Sequence, residues 1–195
     1  MMNETSRNPY NLLKVCRIID LASARFASGV GADFLGLHAV SGLSEGSRDL
    51  YRRIAAELRI HQSPSLPILL VRKQPIATLI EWVEQTSVCG LQIHDSISAE
   101  EYSAIKYAMR QRFGAEFRVI PVFSAAEPDI VNAMKAASEM EVGNSEADLA
   151  IIDSSWRGGT GKRAVRENID ALRSILPQKA RPSPGGINTE NPLQG

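Results

Sequence analysis

A single α/β unit of barrel type is what the sequence predicts, on three observations. Short apolar runs alternate with longer amphipathic ones along most of the 195 residues. The apolar runs are near-continuous, as in strands buried on both faces of a parallel sheet. The dinucleotide-binding fingerprint of an open doubly wound sheet is missing, because Gly29-Val30-Gly31 is not followed by a glycine three residues on. Monotonous β/α alternation then favours a (β/α)8 barrel, whose chemistry sits at the C-terminal ends of the strands.

The elements follow in order. Residues 12–19 (LLKVCRII) read as the first strand, and 21–28 as a short helix with Asp20 as N-cap. Residues 34–40 (FLGLHAV) form the second strand. Residues 48–60 form the second helix, with Leu50, Ile54 and Leu58 one turn apart. The third strand is 66–71, and the third helix is 76–85, with Ile76, Leu79, Ile80 and Val83 on one face. Residues 88–94 (VCGLQIH) make the fourth strand. Ser98-Ala99-Glu100-Glu101 is a capping box opening a helix over 99–112. A fifth strand over 117–123 and a helix over 125–140 come next, Pro128 being tolerated near the helix start. The sixth pair is 148–153 and 164–176, and 180–187 (ARPSPGGI) takes the place of a seventh strand. Residues 1–11 read as a polar extension and 12–195 as one domain.

Composition narrows the function classes. Lys+Arg and Asp+Glu are 22 each, so no overall field draws nucleic acid or an anionic membrane, and an anionic ligand needs a local site. The apolar runs are far shorter than the roughly 20 residues of a membrane span. The N-terminus lacks a signal-peptide core. Cys16 and Cys89 form no CxxC pair, which suits a reducing compartment and a cytoplasmic protein. No His, Cys or carboxylate spacing suits a metal, so no metal site is expected.

The polar residues at strand ends are the site candidates: Cys16, His38, Arg72, Gln92, His94, Asp95, Ser124 and Asp153, followed by Gly185-Gly186. Cys16 reads either as a small buried hydrophobe or as a base or nucleophile. Asp153 closes the apolar run Leu149-Ala150-Ile151-Ile152, so it either caps the next helix or does chemistry. His38 and His94 are either hydrogen-bonded core residues or acid/base groups. The loop with Gly158, Gly159 and Gly161 fails the Walker A pattern at Trp156 and Arg163. It can still wrap a ligand with backbone N–H groups, or serve only as a connector.

Five of these segments, in this order, resemble phosphoribosylanthranilate isomerases. Lys14-Val15-Cys16-Arg17-Ile18 looks like the family's KICGI, and Gly31-Ala32-Asp33-Phe34-Leu35-Gly36-Leu37 like its GADALGF. Leu91-Gln92-Ile93-His94 is similar to VQLH. Asp153 with Gly158-Gly159-Thr160-Gly161-Lys162 resembles the family's aspartate and GGTGK loop, and residues 185–191 (GGINTEN) resemble GGLNPEN.

The resemblance implies a cofactor-free Amadori rearrangement of N-(5-phosphoribosyl)anthranilate, with Cys16 as general base and Asp153 as general acid. It also implies that Arg48, Gln92, His94, Gly158, Gly159, Gly161, Gly185 and Gly186 bind this small phosphorylated substrate. Five departures accompany the matches. The family's proline- and serine-rich segment with an arginine after the second strand is poorly kept, which leaves Arg48 as the expected contact for the anthranilate carboxylate. Arg17 stands where the family has glycine, and Asp95 stands where it usually has glycine. Arg163-Ala164-Val165-Arg166 replaces FDW, and Pro182 and Pro184 sit badly in a central strand. The chain also ends soon after the seventh-strand turn, so the expectation is a barrel truncated there, with an open edge that a second copy or a partner covers. The alternative is a divergent or truncated, non-catalytic barrel that binds a sugar phosphate or acts in an assembly. Another isomerase or aldolase on the same barrel is a third reading.

Overall fold

The computed structural model describes residues 12–126, 129–140, 149–153 and 166–175. Within them six strands alternate with six helices: β1 (Lys14–Cys16), α1 (Leu21–Gly29), β2 (Phe34–His38), α2 (Glu45–Ile60), β3 (Leu66–Val71), α3 (Ile76–Thr86), β4 (Gly90–Ile93), α4 (Ala99–Phe113), β5 (Arg118–Ser124), α5 (Ile130–Glu139), β6 (Ile151–Asp153) and α6 (Arg166–Ile175). All strand pairs are parallel, and the order across the sheet is β1-β2-β3-β4-β5-β6.

That order decides between the two closures. Crossovers in parallel sheets are right-handed, so a sheet that always advances in one direction carries its helices on one face. The other face can be buried only if the sheet curls upon itself, which is the (β/α)8-barrel type of fold and not the doubly wound one. The core divides accordingly. Leu35, Leu37, Leu69, Val71, Leu91, Ile93, Val119, Phe123 and Ile152 point outward from the strands into a large cluster with the helices. Phe34, Ile68 and Ile120, with Leu66, Leu149 and Ile151 against them, form a smaller cluster on the inner face. Alternation along each strand puts the two sets on opposite sides.

Local chemistry sets the element ends. Asp20 caps α1 and Ser98 caps α4, as their sequences predict; the capping box expected at Ser98 is present, and Asp20 forms a second one with Ser23. The second helix starts three residues before its expected position, because Ser44 accepts from the N–H of Ser47 and supplies the N-cap. The first strand is shorter than 12–19, because Arg17 turns into the left-handed region (φ 58°) and ends the ladder at Cys16. The fifth helix does not begin at 125: the N–H of Ala125 still donates to Asp153 O (2.8 Å), so the chain is in the sheet there.

Prolines occupy two inner strands, Pro67 in β3 and Pro121 in β5. Bonding alternates between neighbours along a parallel strand. The donor missing at Pro67 therefore faces the chain before β4 begins at Gly90, and that at Pro121 faces the chain before β6 begins at Ile151. Neither removes a bond from a formed ladder. Among the described residues no helix is long and apolar enough to cross a membrane. The expected seventh strand, with Pro182 and Pro184, lies outside the described residues, as does the 1–11 extension.

Candidate active site

The alternation that sends Val15, Leu37, Ile93 and Ile152 outward sends their neighbours inward. Lys14 and Cys16 of β1, Gly36 and His38 of β2, Gln92 of β4, Ser124 of β5 and Asp153 of β6 therefore share the inner face. The apolar inner cluster lies beneath, towards the N-terminal ends of the strands, and the polar residues stand at the C-terminal ends.

Cys16 is exposed at the end of β1, and Lys14, two residues earlier on the same face, donates from Nζ to its Sγ (2.7 Å). Gly36 is the register partner of Cys16. A Cβ at Gly36 would stand 3.1 Å from Cys16 Sγ and 3.2 Å from Leu70 Cδ1, so the bare backbone there makes room for the thiol. Gly90, deeper in the sheet, makes room for the neighbouring strand: a Cβ there would meet Arg118 O at 2.7 Å.

Across the mouth, Asp153 Oδ2 and His94 Nε2 lie 3.3 Å apart, with their side chains 28% and 11% exposed. Which atom carries the shared proton follows the state of the carboxyl group: an ionised Asp153 accepts from the imidazole, and a protonated one donates to it. His38 completes the rim. Its carbonyl oxygen accepts from Tyr51 Oη (2.7 Å), which ties the end of β2 to α2. Partial shielding from water lowers its imidazole pKa, and the nearby charges of Lys14, Arg17 and His94 lower it further.

Gln92 is buried, and its Oε1 has no hydrogen-bond partner among the described residues. An unpaired amide oxygen inside a protein costs about 1–3 kcal/mol, so it marks a place open to a donor. Ser124, opposite Asp153 in register, donates from Oγ to Asp129 Oδ2 (3.3 Å). Arg72 and Asp95 form a loose ion pair at the ends of β3 and β4 (3.9 Å).

The strand-end candidates Cys16, Gln92, His94 and Asp153 thus come together on one face. Arg48 stands apart from them. It lies in the first turns of α2, where its Nη1 donates to Gln85 of α3 (3.4 Å) and its Nε is buried without a partner among the described residues. Gly158, Gly159, Gly161, Gly185 and Gly186 lie outside the described residues. Lys14 was legible as a neighbour of Cys16, since residues two apart on a strand share a face, but it carries no motif of its own. Among the described residues, no three His, Cys, Asp or Glu side chains are gathered as they would be around a metal ion.

No protein-family model matches the sequence, and no curated protein matches it. Solved structures do. The phosphoribosyl anthranilate isomerase from Thermus thermophilus superposes with a TM-score of 0.60 at 22% identity, over 85% of this chain and 72% of that one. The enzyme of the same name from Thermotoga maritima gives 0.62 at 20% identity, over 85% of this chain and 73% of that one. A 2,3-dimethylmalate lyase of the PEP mutase/isocitrate lyase superfamily gives 0.53 at 17% identity, over 86% of this chain and 63% of that one. At these identities the likeness is one of fold, and the fold carries more than one chemistry.

Proposed function

We propose that this chain is an isomerase of the phosphoribosylanthranilate type, in which Asp153 is the general acid and Cys16 the general base. One observation carries the reading: a thiol and a carboxyl group stand at the ends of β1 and β6 on the same inner face, in a fold matched to two isomerases of that name.

The chemistry asks for two proton transfers at neighbouring atoms of one sugar. Asp153 delivers a proton to the furanose ring oxygen. The ring C–O bond breaks as the anthranilate nitrogen pushes its lone pair into a C=N bond, leaving a protonated Schiff base. The positive nitrogen acidifies the C2–H, and the Cys16 thiolate removes that proton. The electron pair moves through C1 to the nitrogen and gives an enaminol. Cys16 returns its proton to C1, the C2 hydroxyl releases its own to the Asp153 carboxylate, and the ketose forms with acid and base restored.

His94 supports the first transfer. Hydrogen-bonded to Asp153, it holds the carboxyl group in place and shares its proton. Lys14 supports the second, as a hydrogen-bond donor to the sulfur that bears the charge. Gln92 offers its free oxygen to a sugar hydroxyl. On this reading Gly158, Gly159 and Gly161 close over the substrate, and Gly185 and Gly186 present N–H groups to its phosphate, as the resemblance implies.

The test is turnover by the purified chain of phosphoribosylanthranilate generated in situ, followed by loss of its fluorescence, with Cys16→Ala as the control. Turnover abolished by that substitution is the expected result. A folded chain that turns over nothing sinks the reading, and turnover that survives in Cys16→Ala sinks its mechanism.

A further inference from the structure

We propose that Arg17 grips an anionic group of the ligand, with its guanidinium paired to a carboxylate or phosphate held beside Cys16. The identity of the ligand rests on the function proposed above; the grip itself does not.

Backbone strain is the first argument. Arg17 has φ 58°, a conformation that costs an L side chain free energy and that glycine adopts freely. A bulky residue in such a place, next to a candidate catalytic group, points from the strain to a use for the side chain.

The second argument is the charge around it. Lys14, Arg17, His38 and His94 crowd the ends of β1, β2 and β4, close enough for the other three to weaken proton binding at His38. The carboxylate facing this group is Asp153, and it lies against His94. Lys14 is engaged with the Cys16 sulfur and Asp153 with His94, which leaves the Arg17 guanidinium as the cation of this group with no partner among the described residues.

Elimination supplies the third. Arg72 is paired with Asp95 (3.9 Å) and Arg48 stands away from this face on α2 beside Gln85, whereas Arg17 is exposed and has no ion-pair or hydrogen-bond partner among the described residues. The planar fork of an arginine is suited to two parallel hydrogen bonds to a carboxylate or a phosphate.

Two probes separate the sources of the anion: anthranilate, which carries only the carboxylate, and ribose 5-phosphate, which carries only the phosphate. Both are titrated calorimetrically into the full chain, into Arg17→Gly, which relaxes the backbone, and into Arg17→Lys, which restores the charge. The expected result is a roughly tenfold to hundredfold weaker affinity for one probe in Arg17→Gly, partly recovered in Arg17→Lys, with the melting temperature not lowered. The probe affected names the group held. Unchanged affinity for both probes in Arg17→Gly overturns the proposal, as does failure of the unsubstituted chain to bind either.

Turnover keeps this result apart from the function. Isomerase activity with an unaltered KM in Arg17→Gly leaves the enzyme standing without the grip. Arg17-dependent probe binding without turnover leaves the grip standing without the enzyme.

Discussion

His94 Nε2 and Asp153 Oδ2 lie 3.3 Å apart although 59 residues separate them, so the ends of β4 and β6 are joined by a shared proton. Removing either partner acts on the same step. Asp153→Asn lowers isomerase kcat by about a hundredfold to ten-thousandfold, the usual range for one acid/base group. His94→Ala costs less, about tenfold, and the double variant is no worse than Asp153→Asn alone, because the histidine acts through the carboxyl group. Steady-state kinetics on the three variants checks this, and fully additive losses would show the two residues to be independent.

Gly36 and Gly90 separate activity from stability. In Gly36→Ala the new Cβ presses on the Cys16 sulfur at 3.1 Å, so turnover falls by about tenfold through misplacement while stability falls by only about 1 kcal/mol. In Gly90→Ala the Cβ meets a backbone carbonyl at 2.7 Å, which cannot step aside. That variant loses about 1–3 kcal/mol of unfolding free energy, read from the urea midpoint.

His38 makes the chain acid-sensitive in a stated direction. Its folded pKa lies below the ordinary value of 6.5, first by desolvation and then by Lys14, Arg17 and His94. Between the folded and unfolded values the unfolded chain binds more protons, so stability rises with pH there. This contribution is fully present above the unfolded value and is lost as the pH falls through the folded one. In His38→Asn the unfolding free energy changes less between pH 7.5 and 5.5 than in the unsubstituted chain. Equal pH slopes in urea melts would exclude this role.

Ser87 ends α3 at φ 57°, where its N–H donates to Val83 O. A left-handed residue at a helix end favours glycine. Ser87→Gly relieves about 1–2 kcal/mol of backbone strain and loses about half of that to the freer unfolded chain, for a net gain near 0.5–1 kcal/mol. Thermal melting reads it as a rise in midpoint of a few degrees.

Elements whose ends depend on neighbouring residues were legible in the sequence. The third strand has the bounds its apolar run predicts, Leu66–Val71, and Asp20 and Ser98 cap as their spacing says. The ends missed were set otherwise. Apolar spacing begins only at Leu50, so it hides the turn that Ser44 starts. The left-handed conformation of Arg17 has no local signal in a residue of its kind, and Ala125 is kept in the sheet by Asp153, far along the chain.

The site divides the same way. That Cys16, Gln92, His94 and Asp153 stand at strand ends follows from strand alternation. Contacts such as His94 with Asp153, or Arg48 with Gln85, depend on how distant elements pack.

Every described strand from β2 to β6 pairs with the strand immediately before it in the chain, never with one two places away. A growing polypeptide can therefore lay each strand on an edge already in place, one helix and two loops after the last. No early strand waits for a distant partner, which keeps the loops that must close short for a parallel sheet. The topology lets the order of synthesis serve as the order of assembly, with the β1 end, Cys16 included, laid down before the carboxyl group of Asp153.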